Sequence, residues 1–154
     1  MKSLIVVTAA LIAVLTATFA MAATATNSLT AAASVVTMCR ITSVTNLDFG
    51  TYDPTDSAND DDGVGNMAFR CTRGTNYDVF ITGARTMTDG TDTLNFQLYQ
   101  EAGRTTTWPS VAPGVSGVSA NNAPVSSGIY GRISALQDVQ AGSYSGTVTV
   151  TINY

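Results

Sequence analysis

Two cysteines, Cys39 and Cys71, have the chemistry that is simplest to predict. The chain has no histidine and no third cysteine, so a tetrahedral zinc site would lack ligands. An even number of cysteines in an exported chain is typical of a disulfide, which we predict in preference to a metal pair or free thiols. The bond would close a loop of about 33 residues and stabilise the fold by roughly 3.5–4 kcal/mol in the chain-entropy estimate.

Carboxylates form the second group of candidates. The turn-rich stretch that follows Tyr52 holds Asp53, Asp56, Asp60, Asp61 and Asp62. Oxygen ligands suit calcium, but the spacing follows no known calcium loop and no glutamate closes it, which favours a solvated, mobile loop without a metal. Asp48, Asp78 and Glu101 could pair as in a glycosidase, yet nothing in the sequence brings two of them together. No histidine or free thiol offers a base or nucleophile, so we predict that the protein is not an enzyme and needs no cofactor.

An aromatic residue and three arginines complete the candidates. Trp108, followed by Pro109, suits a sugar-stacking platform or an aromatic plug over the core, and we favour the plug. For Arg85, Arg104 and Arg132 the default is an ordinary solvated side chain, and the alternative is a pair with an acidic loop or a chain-terminal carboxylate.

The chain that positions these residues begins with an export signal. Lys2 precedes an apolar run from Leu4 to Leu15, and Ala20-Met21-Ala22 offers the small residues of a cleavage site. We predict a signal peptide over residues 1–22 rather than a membrane anchor, because no basic residue follows the run as a stop. Removing Lys2 leaves six arginines against 11 acidic residues, a net charge of −5 that argues against nucleic acid and anionic membranes as partners.

The stretch from Ala23 to Met38 has no glycine, proline or charge, and its apolar residues alternate with Thr and Ser. Such alternation predicts a strand with one buried face. At about 3.3 Å per residue the stretch would span roughly 50 Å, too long for one small domain to cover. The alternation changes phase near Val35, so we predict two strands in series, of which residues 23–34 form a spare strand that needs a partner.

The remainder has an all-β composition, with glycines spaced as in turns. A turn is expected at Met87–Gly90 and a long irregular region at Glu101–Pro124. The last strand alternates cleanly and ends the chain, so its apolar edge would be open to a strand from another copy. Strands are predicted at Val35–Ile41, Val44–Tyr52, Asn66–Thr72, Tyr77–Thr82, Thr93–Gln100, Val115–Ser119, Ile129–Ala135 and Tyr144–Tyr154.

Residues 24–154 resemble the spore coat U domain family, which supplies the pilins of archaic (Csu-type) chaperone–usher pili. The joint pattern of motifs is specific, although no single motif is. Besides Cys39 and Cys71 the matching segments are 46–54 (NLDFGTYDP), 72–75 (TRGT), 85–87 (RTM), 94–99 (LNFQLY), 130–133 (YGRI) and 142–151 (GSYSGTVTVT).

The resemblance implies an all-β fold, an incomplete immunoglobulin-like β-sandwich that lacks its last strand and is completed by donor-strand exchange. A periplasmic chaperone would fill the gap first, and an outer-membrane usher would replace the chaperone strand with the leading strand of the next subunit. The donor residues would be Ala25, Asn27, Leu29, Ala31 and Ala33. The groove that accepts them would be flanked by Val35 and by Val148, Val150, Ile152 and Tyr154.

We therefore expect three segments: a signal peptide (1–22), a donor strand (23–34) and a pilin domain (35–154). The expected function is that of a structural pilin that polymerises head to tail with copies of itself into a surface pilus for adhesion and biofilm formation. The alternatives are a tip adhesin, which would need a second domain for which this length leaves no room, and a secreted coat protein built by the same strand exchange.

Overall fold

The computed structural model describes residues 22–154, so the predicted signal peptide lies outside the described residues except for Ala22. Contacts divide the chain into two units, at residue 33. In the described part of the first unit, residues 22–33, no residue belongs to a helix or strand and every side chain is exposed. Within the described residues, no helix has the length and apolar character needed to cross a membrane.

The second unit, Ser34–Tyr154, is built from two antiparallel sheets. Five strands lie in one sheet in the order β1-β2-β7-β5-β4, and three lie in the other in the order β6-β3-β8. The strands are β1 (Cys39–Thr45), β2 (Val64–Cys71), β3 (Asn76–Thr82), β4 (Thr86–Thr88), β5 (Thr93–Tyr99), β6 (Val115–Val118), β7 (Val125–Ile133) and β8 (Thr149–Asn153).

The core lies between the two sheets because each central strand turns alternate apolar side chains inward. In β5, for example, Leu94, Phe96 and Leu98 are at most 7% exposed, whereas the residues between them are exposed. β3 contributes Val79 and Ile81 from the opposite sheet. The predicted all-β, immunoglobulin-like sandwich is confirmed by this arrangement.

A disulfide joins Cys39 to Cys71, as predicted. The two residues are directly opposite each other in the register of β1 and β2, so the bond ties the first residue of the first strand to the last residue of its neighbour. Beside the bond, the amide of Thr72 donates to the carbonyl oxygen of Met38 at 2.9 Å.

Several strand predictions need correction. The first strand begins at Cys39 rather than Val35, and residues 46–52 form no strand although Val44–Tyr52 alternates. The last strand is confined to Thr149–Asn153 within the predicted Tyr144–Tyr154, with one isolated bridge from Ser145 to Thr88. β4 lies where the sequence predicts the start of a turn.

Candidate functional site

One concave feature of the second unit is an open cleft, which we call the edge cleft and define by its walls, residues 44–54 and 139–150. Its middle portion has a volume of about 380 Å³. The floor there is formed by Ile81, Leu98 and Ile129, each at most 2% exposed. The edge cleft therefore reaches down to the centre of the core.

The edge cleft continues past Tyr144 into a second portion of about 540 Å³. Leu47, Phe49, Met87 and Tyr144 line both portions, so the two are continuous. Asp48 and Pro54 border the far end. The result is a long trough rather than a closed cavity, a shape suited to an extended chain.

One wall is the free edge of β8. This strand pairs with β3 alone, so its other edge has no ladder partner in the described part of the chain. Val148, Val150 and Ile152 face the core, as the alternation predicts, but each is only half-buried. Ile81, opposite Val150 in the ladder, is 0% exposed. The difference indicates that a covering layer is missing on the side of β8.

The opposite wall, residues 46–52, is held by side chains instead of a ladder. Phe49 is 8% exposed and its ring sits against the backbone of Gly63 and Gly131, where a Cβ atom would collide with the ring. The Tyr52 hydroxyl donates to the Ser134 carbonyl oxygen at 2.9 Å. Among the described residues, this wall has no backbone hydrogen bond to a neighbouring strand. This wall and the free edge of β8 thus present unpaired backbone to the trough, whereas Ser145, earlier in the other wall, exchanges backbone hydrogen bonds with Thr88.

Two of the predicted groove-flank residues, Val35 and Tyr154, are not among the residues that line the edge cleft. Val35 precedes β1 and is 85% exposed, and Tyr154 follows β8 and is 61% exposed. In the first unit, Leu29 is 96% exposed, and the other predicted donor residues, Ala25, Asn27, Ala31 and Ala33, are exposed as well. Their assignment as donor residues and groove flank stays a prediction.

The family model of the Spore Coat Protein U domain matches residues 25–151. The chain belongs to this family. The match includes most of the residues predicted to form the spare strand, so that stretch is part of the family pattern and not an unrelated extension.

A solved structure shares the fold of this Spore Coat Protein U domain. It is the CsuC–CsuE chaperone–tip adhesion subunit pre-assembly complex from archaic chaperone–usher Csu pili of Acinetobacter baumannii, with a TM-score of 0.55 and 20% sequence identity. The alignment covers 78% of this chain and 40% of that chain, so this protein spans less than half of its length. A comparison with curated proteins finds no match.

The acidic loop of this Spore Coat Protein U domain is anchored, which corrects the prediction of a mobile loop. Asp61 Oδ1 lies 2.7 Å from Arg132 Nε and 3.3 Å from Arg104 Nε. The hydrogen bonds from Arg132 lower the pKa of Asp61, and the charge of Arg104 acts in the same direction. Asp60 and Ile133 exchange backbone hydrogen bonds of 2.9 Å. The side chain of Arg104 is only 9% exposed, so the solvated default is wrong for it.

The other candidates serve the fold. Trp108 is 5% exposed and donates from Nε1 to the Gly128 carbonyl oxygen at 3.2 Å, which confirms the aromatic plug. The Asp78 carboxylate accepts from the Gly114 amide, and Glu101 accepts from Thr105 and Thr106, whose hydrogen bonds lower its pKa. In residues 22–154, no three acidic side chains converge as metal ligands would.

Sequence reasoning missed the glycines that shape the trough. At Gly146 a Cβ atom would collide with the Thr86 carbonyl oxygen, so glycine lets the β8 wall approach β4. Gly63 and Gly131 form the seat of Phe49. A glycine within a strand often marks such a close approach, and Gly131 and Gly146 lie within predicted strands, which is the signal that was available.

Proposed function

We propose that this protein is a structural subunit of an archaic chaperone–usher pilus and that it polymerises by donor-strand exchange. Residues 23–34 of one copy would lie in the edge cleft of the next copy and complete its sandwich. The observation that carries the proposal is the edge cleft itself, a trough with a core floor, with residues 46–52 outside any ladder on one side and the free edge of β8 on the other.

The lengths of the donor and the trough are compatible. From Ala25 to Ala33 an extended chain covers about 26 Å, which is longer than the roughly 14 Å of free edge along β8, so the donor would also run beside the cleft wall that precedes β8. The donor residues are mostly alanine, which suits a strand that must enter between two existing walls. Leu29 is the one large apolar side chain among them and would be the main hydrophobic anchor.

Energetics allow a long-lived contact. About ten ladder hydrogen bonds would form, each contributing about 0.5–1.5 kcal/mol net. Burial of Leu29 would add about 1.5–3 kcal/mol. Because the whole ladder must break for a subunit to leave, dissociation should be slow and the polymer kinetically stable. The contact is head to tail and does not close on itself, so it generates a filament.

A subunit of such a pilus would need an export route, a chaperone and an usher. The chain would be exported, with residues 1–22 as the signal peptide, and residues 35–154 would be held by a periplasmic chaperone until an outer-membrane usher exchanges strands. A solved complex with the same fold contains a chaperone and a tip adhesion subunit, which supports a chaperone partner here. The mature filament would lie on the cell surface and serve adhesion and biofilm formation.

The test is deletion of residues 23–34 from the mature chain. We expect the SDS-resistant ladder of multimers to disappear while the monomer still binds its chaperone. Replacing the deleted residues by a Gly/Ser sequence of equal length is the matched control for chain length, and it should not restore the ladder. A multimer ladder that survives the deletion would refute the proposal. A mature monomer that is stable alone, with its own residues 23–34 bound in its own edge cleft, would refute it as well.

A further inference from the structure

The second unit carries opposite charges at the two ends of β2. At the Cys71 end lies a basic pole, which we define as Arg40, Arg70 and Arg73, all exposed. Next to the Val64 end lies an acidic pole, which we define as the exposed aspartates of the cleft wall and the anchored loop. Along β2 the two poles are separated by about 24 Å. The members of the acidic pole are Asp48, Asp53, Asp56 and Asp62.

The basic pole is unfavourable within one copy. Arg40 and Arg70 are directly opposite each other in the register of β1 and β2, and like charges at such positions destabilise a sheet. Within the described chain, the ion pairs closer than 4.0 Å are formed by Arg104 and Arg132 with Asp61. No carboxylate therefore lies within 4.0 Å of a side-chain nitrogen of the basic pole. The three arginines line a shallow open cleft of about 590 Å³ with Val35 and Met38. An acidic partner would relieve this repulsion.

The direction of the donor strand selects that partner, and this step rests on the proposed function. All strand pairs in the second unit are antiparallel. An antiparallel donor on the free edge of β8 would end beside Tyr144, where Asp48 and Pro54 border the edge cleft. The donor chain then continues directly to its own Val35 and Met38. The basic pole of the donor copy therefore emerges at the acidic pole of the copy that accepts its strand.

We propose that the basic pole of one copy binds the acidic pole of the next, as a second contact between neighbouring subunits. Guanidinium groups pair with carboxylates in a forked geometry, which suits a loop of aspartates. Since both poles are exposed, the contact is screened by salt, with a Debye length of about 8 Å at physiological ionic strength. Strand insertion holds the copies together, and the poles fix how adjacent domains are oriented.

The experiment uses the absence of lysine after Lys2. In the Arg73→Lys variant of the full mature chain, the new amine keeps the charge and can be joined to a carboxylate by a zero-length carbodiimide cross-linker. We expect cross-links between copies, in SDS-resistant multimers, to peptides that contain the acidic pole, with a several-fold lower yield in 1 M NaCl. The unmodified chain and Val111→Lys, at a position 67% exposed and outside both poles, are the controls and should give no such cross-links.

Charge reversal completes the test. In the Arg73→Lys background, Arg70→Glu should lower the yield several-fold, and adding Asp62→Arg should restore it. Two outcomes with a normal multimer ladder would overturn this proposal and leave the proposed function intact. In the first, the cross-links join residues outside the acidic pole. In the second, the cross-link yield is unchanged by Arg70→Glu and by Asp62→Arg. A cross-link to the chaperone alone would assign the basic pole to that protein and likewise overturn it. Loss of the ladder from the unmodified chain would refute both.

Discussion

Substitution of Leu29 should weaken the contact between copies without changing the stability of the free monomer. Its side chain is 96% exposed, so Leu29→Ala removes no packing from the monomer, and the free energy of unfolding should change by less than about 0.5 kcal/mol. Seated on the apolar floor of the edge cleft in another copy, the same side chain would be buried. Its loss there costs about 1.5–3 kcal/mol, which corresponds to a roughly 12- to 140-fold weaker contact.

The assay compares two quantities for the same variant. Urea denaturation of the monomer measures its free energy of unfolding. The strength of the contact between copies is measured by the lifetime of SDS-resistant multimers in an excess of a peptide with the sequence of residues 23–34, which competes for the edge cleft. Thr30→Ala is the matched control, because Thr30 belongs to the polar set of the alternating stretch and should leave both quantities unchanged. A Leu29→Ala chain with an unstable monomer and multimers of normal lifetime would show that Leu29 packs within its own copy, and would refute the reasoning.

Three further predictions concern the fold around the edge cleft. Replacing both cysteines with serine should lower the free energy of unfolding by about 3–4 kcal/mol in urea denaturation, because the closed loop no longer restricts the unfolded chain; a loss below about 1 kcal/mol would contradict this. Gly131→Ala should destabilise by about 1–3 kcal/mol, because its Cβ displaces the Phe49 ring, whereas Gly103→Ala, with no atom within 4 Å of its Cβ, should be nearly neutral in the same thermal melts. The pKa of Asp61 is lowered by Arg132, so the stabilisation from their pair is present above about pH 4 and is lost as the pH falls through the lowered value. Asp61→Asn should thus cost less than about 1 kcal/mol at neutral pH and nothing in strong acid, and an equal cost at both would refute the assignment.

The strands β3 and β5, which have a ladder partner on each side, were predictable from alternation. The predicted Tyr77–Thr82 and Thr93–Gln100 agree with them to within one residue at each end. In β3 the residues Val79, Phe80 and Ile81 are all buried, but in β5 the residues that alternate in the sequence also alternate in burial, because a second sheet covers one face. Local pattern and tertiary packing therefore give the same answer.

The predictions fail where that agreement breaks down. Residues 46–52 of the predicted Val44–Tyr52 and residues 144–148 of the predicted Tyr144–Tyr154 have the alternation of strands, yet they lie along the edge cleft outside any ladder, apart from the bridge of Ser145 to Thr88. Alternation of apolar and polar residues predicts which face of a strand would be buried. Formation of a ladder also requires a neighbouring strand. Donor-strand insertion would supply one, so the discrepancy falls where the proposed function requires it.

The sequence predicted the disulfide between two distant cysteines and offered an acidic loop as one possible partner for the arginines, but it did not show which arginines pair with which aspartate. The acidic stretch looks mobile because it is polar and rich in turns, but Arg104 and Arg132 anchor it from 43 and 71 residues away. Single-sequence patterns carry no information about such pairs. β4, with three residues, is also too short to show a period.

The disulfide decides how a pulling force would enter the domain. Tension on residues 23–34 would first meet the hydrogen bonds between Met38 and Thr72 and then Cys39, where it would divide between β1 and, through a covalent bond, Cys71 of β2. β2 lies inside its sheet, with β1 on one side and β7 on the other. Peeling β1 from its first residue would therefore require breaking a sulfur–sulfur bond instead of one hydrogen bond at a time. If the domains assemble into a fibre as proposed, stretching that fibre would break other contacts before β1 separates from β2.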